Sequence, residues 1–103
     1  MTKIIINKIK NYIDIAARAK YVIYGADNLK GYTHKLYLVL YRSDCGKTIQ
    51  KVLHELSNLP IYVLGIDDFN YITNSQNCKL IAIKNKGLAE QIINQLRSEI
   101  ISG

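Results

Sequence analysis

At 103 residues, 49% hydrophobic and with a net charge of +6, the chain is long enough for one modest core and too apolar to stay disordered. Its longest apolar runs, III at 4–6, LYLVLY at 36–41 and IYVLGI at 61–66, fall far short of the ~18 residues a membrane span requires. The opening MTKIIINKIKNY lacks the continuous apolar segment and small-residue cleavage site of a secretory signal, so a cytoplasmic protein with no membrane partner is expected.

The elements follow from periodicity. Over residues 5–19, Ile5, Ile9, Tyr12, Ile13 and Ala16 recur at i, i+4, i+7 and i+8, which predicts an amphipathic helix. YVIYG, 21–25, reads as a short strand stopped by glycine. ADNLKGYTHK, 26–35, is too polar and glycine-punctuated for more than one or two helical turns before a loop. LYLVLY, 36–41, is apolar throughout, as a strand buried on both faces is. Ile49, Val52, Leu53 and Leu56 predict a helix over 45–57, with Ser43 or Asp44 as its cap and Pro60 beyond its end. IYVLG, 61–65, is another buried strand. IDDFNYITNSQNC, 66–78, reads as an irregular polar connection with one helical turn at 67–72. KLIAIK, 79–84, is a further strand, and Asn85 caps a final helix, 86–100, with stripe Ala89, Ile92, Ile93, Leu96 and Ile100. This alternation predicts one α/β domain, a three-layer α-β-α sandwich with helices on both faces of a four-stranded mixed sheet. Linkers, repeats and low-complexity segments are absent from the sequence.

Little in the chain suggests catalysis or a cofactor. Cys45 and Cys78 form no C-x-x-C pair and are expected to be free thiols, and His34 and His54 have no zinc spacing. Asp67 and Asp68 are adjacent carboxylates of the kind usually just solvated. Gly46-Lys47-Thr48 resembles the end of a phosphate-binding loop, but Tyr41 stands where the first glycine is required. A side chain there blocks the close backbone approach that glycine permits, so no bound nucleotide is expected. A non-enzymatic protein without metal or cofactor is the reading.

Charge is unevenly distributed. Residues 1–51 hold ten Lys/Arg against three Asp/Glu, a net of +7, and residues 52–103 hold four against five, a net of −1. Such asymmetry points either to a polyanionic partner or to solubilising charge. Tyrosines at 21, 24, 32, 37 and 41 share the basic half. Tyr24, Tyr37 and Tyr41 lie in apolar runs and suit a structural role; Tyr32, in the polar segment, is the better candidate for stacking on a base.

The order and spacing of several phrases resemble the kink-turn RNA-binding ribosomal protein superfamily (the L-seven-Ae and L-thirty-e group), in particular its small bacterial YlxQ-type branch. They are IDIAARAKYVIYG, LYLVLYRSDCGKTIQKVL, LPIYVLG and KLIAIKNKGLAEQI, and the resemblance spans residues 8–97. It implies the same sandwich and a structured RNA partner, ribosomal or messenger, held where the turn after the first strand, the start of the third helix and the loop after the third strand converge. Carried over residue by residue, that region comprises Gly25, Asp27 and Asn28; Arg42, Ser43, Asp44 and Lys47; and Ile66, Phe69 and Asn70, with Lys20, Lys30, Tyr32 and Lys35 near the same connections. The turn departs from the family's Gly-x-Asn-Glu pattern: Asp27 replaces the asparagine and Asn28 the glutamate. An ionised aspartate only accepts hydrogen bonds, so the amide's donor is lost. Gly31 stands where a basic residue is expected. The alternative implied by these departures is the same fold with RNA recognition lost, serving as a protein-interaction module.

Overall fold

A computed structural model describes residues 1–102 except Lys30, Gly31, Thr33, His34 and Ser57, with the backbone alone at 100–102. The elements in chain order are α1 (Lys3–Arg18), β1 (Val22–Tyr24), α2 (Ala26–Leu29), β2 (Leu38–Arg42), α3 (Lys47–Glu55), β3 (Ile61–Leu64), α4 (Ile66–Thr73), β4 (Leu80–Ile83) and α5 (Lys86–Ser102). None of the helices is long and apolar enough, over the described residues, to cross a membrane.

The strands form one mixed sheet in the order β1-β4-β2-β3. β4 runs antiparallel to both neighbours, pairing Ile83 with Val22 on one side and with Leu38 on the other. β3 extends the sheet in parallel with β2, Val39 opposite Ile61 and Arg42 opposite Leu64. Alternate side chains enter opposite layers, as the period-2 geometry of a strand demands. Leu38, Leu40, Leu64, Ile81 and Ile83 pack under α1, α4 and α5 with Ile9, Ile13, Phe69, Ile72 and Ile92. Ile23, Val39, Leu80 and Ala82 meet Ala26, Leu29 and Val52 of α2 and α3 on the other face. The three-layer α-β-α arrangement with a four-stranded mixed sheet is therefore the observed one.

Local chemistry sets the helix ends. Thr2 Oγ1 accepts from the Ile5 amide at 3.4 Å to open α1. The helix closes with the Lys20 amide on the Ala17 carbonyl and the Tyr21 amide on the Ala16 carbonyl. That closure puts Lys20 at φ 64°, the left-handed region usually left to glycine. Asn85 Oδ1 accepts from the Leu88 amide at 2.9 Å and caps α5 as expected. α3 differs from expectation. It starts at Lys47 behind Gly46, with no side-chain cap, because Asp44 is engaged elsewhere and Ser43 lies three residues before the cap position.

α4 is more regular than expected. The segment read as an irregular connection with one helical turn at 67–72 forms a two-turn helix over Ile66–Thr73. Phe69 and Ile72, three apart, are both fully buried. Asp67 and Asp68 occupy the first turn, where carboxylates complement the helix dipole. Thr73 Oγ1 donates to the Phe69 carbonyl at 2.8 Å, and Asn74 ends the helix in the left-handed conformation at φ 54°. Phe69→Ala is expected to cost about 3–5 kcal/mol, as removal of a buried aromatic does. Ile66→Ala, at a side chain 45% exposed, should stay within about 0.5 kcal/mol. Urea denaturation of the two variants checks the contrast.

Candidate nucleic-acid interface

Strand directions decide which connections meet. Since β1 and β2 both oppose β4, and β3 follows β2, the carboxyl ends of β1, β2 and β3 lie on one rim. The Gly25–Asn28 turn, the start of α3 and the start of α4 converge there, joined by the lead-in to β4 at 77–79. The expected convergence of three connections is what the sheet order produces.

In the turn, Gly25 has φ 85°, and nothing lies within 4 Å of where a Cβ would sit; glycine is required by backbone conformation, not by space. Its amide donates to the Leu80 carbonyl at 2.8 Å. Asp27 and Asn28 are exposed, and Asn28 Nδ2 folds back to the Tyr24 carbonyl at 2.8 Å. Burial raises the Tyr24 phenol above its ordinary pKa, with Cys78 and Asp14 adding to the effect. A groove of about 230 Å³ runs from Gly25 and Asp27 past Thr48 and Ile49 to Asn77 and Lys79.

Arg42 is the centre of the rim, and it is not a surface cation. Only 6% exposed, it donates from Nε to Asp44 Oδ1 at 2.6 Å and from Nη2 to Asp44 Oδ2 at 3.1 Å. Nη1 reaches Asn70 Oδ1 at 2.7 Å and the Gln76 carbonyl at 3.1 Å. The guanidinium thus clamps the end of β2, α4 and the loop before β4 in one bidentate fork. The Arg42 hydrogen bond holds the Asp44 carboxyl below its ordinary pKa, helped by the charges of Arg42 and Lys79; Lys79 Nζ lies 3.8 Å from Asp44 Oδ2.

The other expected contacts divide. Gly25, Asp27, Asn28, Ser43, Asp44, Lys47 and Ile66 share the rim; Ser43, Lys47 and Ile66 are exposed. Asn70 is there, with its oxygen committed to Arg42. Phe69 is fully buried in the core and is not available to stack on a base. Lys20 precedes β1 and Lys35 precedes β2, so both sit at the opposite rim, a strand length of roughly 10–15 Å away. Tyr32 is half-buried, with Lys84 Nζ 5.8 Å from its ring, and belongs to that opposite rim too. Lys30 and Gly31 lie outside the described residues.

The charge expectation fails with them. Among the described residues the carboxyl-end rim holds Asp27, Asp44, Asp67 and Asp68 against Arg42, Lys47 and Lys79. Arg42 and Lys79 both face Asp44, and Asp68 faces the Met1 ammonium at 3.9 Å. Lys79 and Asn77 were missed because their place depends on β4 running antiparallel, which no local sequence signal announces.

Known structures share this architecture. A protein of unknown function from Bacillus halodurans superposes with a TM-score of 0.70 at 20% identity, over 87% of this chain and 97% of that one. A 15.5 kD RNA-binding protein from Giardia lamblia superposes with a TM-score of 0.60 at 18% identity, over 95% of this chain and 89% of that one. No family model matches the chain, and no curated protein is significantly similar to it in sequence.

Two outcomes test the clamp. Arg42→Lys keeps the charge but cannot span Asp44, Asn70 and the Gln76 carbonyl together, so it should lose about 2–3 kcal/mol of stability in urea denaturation, the scale of a lost charge-assisted hydrogen-bond set. The lowered Asp44 pKa contributes stability that is present above the ordinary aspartate value and is lost as pH falls through the lower folded-state value. Thermal midpoints should therefore drop less steeply below about pH 4 in Asp44→Asn than in the parent protein.

Proposed function

We propose that this protein is a small, non-enzymatic RNA-binding protein whose target is a structured RNA. The observation that carries the reading is the meeting of the Gly25–Asn28 turn, the uncapped start of α3 and the start of α4 on one rim of this sheet. The likeness in fold to the Giardia lamblia RNA-binding protein supports it. A turn with glycine at its head, exposed polar side chains at 27 and 28, and a groove leading to Thr48 and Asn77 offers donors and acceptors to base edges. Such contacts carry specificity, whereas phosphate contacts carry salt-sensitive affinity.

The finer reading is a kink-turn-like RNA of the translation apparatus, as the resemblance to the superfamily implies. Asp27 weakens that specificity through its missing donor and its charge. A second reading, a protein-interaction module, is favoured by one feature. On edge strand β3, Val63 is 52% exposed beside a groove of about 480 Å³ that includes Tyr41, Cys45, Leu53 and Ile61.

Fluorescence titration against a kink-turn RNA and an unbent duplex, at two salt concentrations, separates the readings. Preference for the kinked RNA with a shallow salt dependence is expected for specific recognition. Equal binding with a steep dependence means a basic surface alone, and no binding at low salt gives the interaction module the weight. Asp27→Asn should raise the preference for the kinked RNA by about fivefold, the worth of one recovered hydrogen bond. An unchanged preference removes the Gly25–Asn28 turn from recognition.

A further inference from the structure

The rim opposite the turn has the chemistry that the first rim lacks. Four chain segments end there: the tail of α1 with Arg18, the lead into β1 with Lys20 and Tyr21, the lead into β2 with Lys35 and Tyr37, and the β4–α5 junction with Lys84 and Lys86. Hydrogen bonds fix their adjacency. The Lys84 amide donates to the Tyr21 carbonyl at 2.8 Å, and the Tyr37 amide donates to the Ile83 carbonyl at 3.0 Å, so the end of β4 lies between the leads into β1 and β2. Lys35 and Tyr37 also line a groove of about 210 Å³ with Asn58, Pro60, Lys86 and Glu90.

These cations are not paired as Arg42 and Lys79 of the first rim are. Arg18, Lys20, Lys35 and Lys86 are exposed. Among the described residues none of the five cations is in an ion pair. Lys84 and Lys35 lie over tyrosine rings instead, at 5.8 Å from Tyr32 and 5.4 Å from Tyr37. The first turn of α5 carries no acidic residue, and Glu90 is the carboxylate in the groove. Gathering like charges this way raises the local potential, a cost that a bound polyanion removes. Tyr21, 38% exposed beside Lys20 and bonded to Lys84 through its carbonyl, adds an aromatic face of the kind on which unpaired bases stack.

We propose that this amino-end rim grips the RNA phosphate backbone through Lys20, Lys35, Lys84 and Lys86, with the Tyr21 ring as a platform for an unpaired base. The inference rests on the RNA-binding reading and moves the backbone grip to the end of the sheet away from the Gly25–Asn28 turn.

Fluorescence anisotropy with a fluorescein-labelled RNA hairpin carrying a single-stranded oligouridine flank tests it. Lys84→Gln/Lys86→Gln should weaken binding roughly tenfold or more at about 0.1 M salt and lower the slope of log K against log salt by about 1.5, the share of two phosphate contacts. Lys20→Gln/Lys35→Gln, at two exposed side chains, should do the same without touching the half-buried stem of Lys84. The charge-matched control Lys8→Gln/Lys51→Gln, at exposed side chains midway along α1 and α3, should change affinity less than threefold, and Lys47→Gln/Lys79→Gln at the first rim should lower the salt slope less than either amino-end pair. Tyr21→Leu should weaken binding of the flanked hairpin and leave the salt slope in place. Parental affinity in both amino-end pairs, with the loss in Lys47→Gln/Lys79→Gln, overturns this placement and leaves RNA binding standing. Failure of the parent protein to bind the RNA at low salt overturns both, and uptake by phosphatidylserine vesicles in that case would assign the cations to a lipid surface.

Discussion

The fold depends on β4. Leu80, Ile81, Ala82 and Ile83 are all fully buried, with Leu80 and Ala82 beneath α2 and α3 and Ile81 and Ile83 beneath α1, α4 and α5. A strand buried on both faces cannot exchange a side chain for a polar one without leaving an unpaired group in the core. Because this strand opposes both neighbours, it forces β1 and β2 into one direction, and β3 follows. Every strand-to-helix turn from those three strands then opens on one rim, and every lead-in opens on the other. The separation of two chemically distinct rims follows from that single pairing pattern.

The first rim is built for rigidity. A guanidinium withdrawn from water is costly unless its donors are met, and Arg42 meets two oxygens of Asp44, one of Asn70 and one carbonyl. Its partners come from sequence separations of 2, 28 and 34 residues, so the clamp holds three connections in one register. The charge that is spent on this cross-link is unavailable to a ligand. What the rim presents outward is the polar turn at 25–28 and the exposed Ser43 and Lys47, groups suited to reading shape and base edges more than to attracting a polyanion.

Much of the architecture was legible in the sequence because its strands and long helices are strongly patterned. LYLVLY and KLIAIK can only be buried strands at these lengths, and the Ile9, Ile13, Ala16 and Ile92, Leu96 stripes can only be helix faces turned to a core. α4 was legible only as one helical turn at 67–72: its apolar burial rests on Phe69 and Ile72, and the flanking Asp67, Asp68 and Asn70 mask a two-residue stripe. Their real work is positional, Asp67 and Asp68 at a helix start and Asn70 under Arg42. Arg42 was misread for a related reason. In sequence it stands at the end of a strand beside Ser43 and Asp44, as a surface cation would, and nothing local reveals that residues 70 and 76 return to enclose it. Lys20 and Lys35 were misplaced because closeness to a turn in sequence is not closeness in space when a strand intervenes.

The charge asymmetry between the two halves of the sequence therefore has a different meaning from the one its distribution suggests. The nearly neutral second half supplies Lys84 and Lys86, and β4 delivers them to the rim where the first half has left Arg18, Lys20 and Lys35. Meanwhile Arg42 and Lys79 are drawn to Asp44 at the other end. Folding thus gathers Arg18, Lys20, Lys35, Lys84 and Lys86 at the amino ends of β1 and β2. An RNA bound as proposed would meet that field first, since surface charge acts over about a Debye length, ~8–10 Å at physiological salt, whereas base-edge contacts act only within hydrogen-bond reach. On the proposed reading, capture at one rim and discrimination at the other are separable in salt: the first weakens steeply as ionic strength rises, and the second persists.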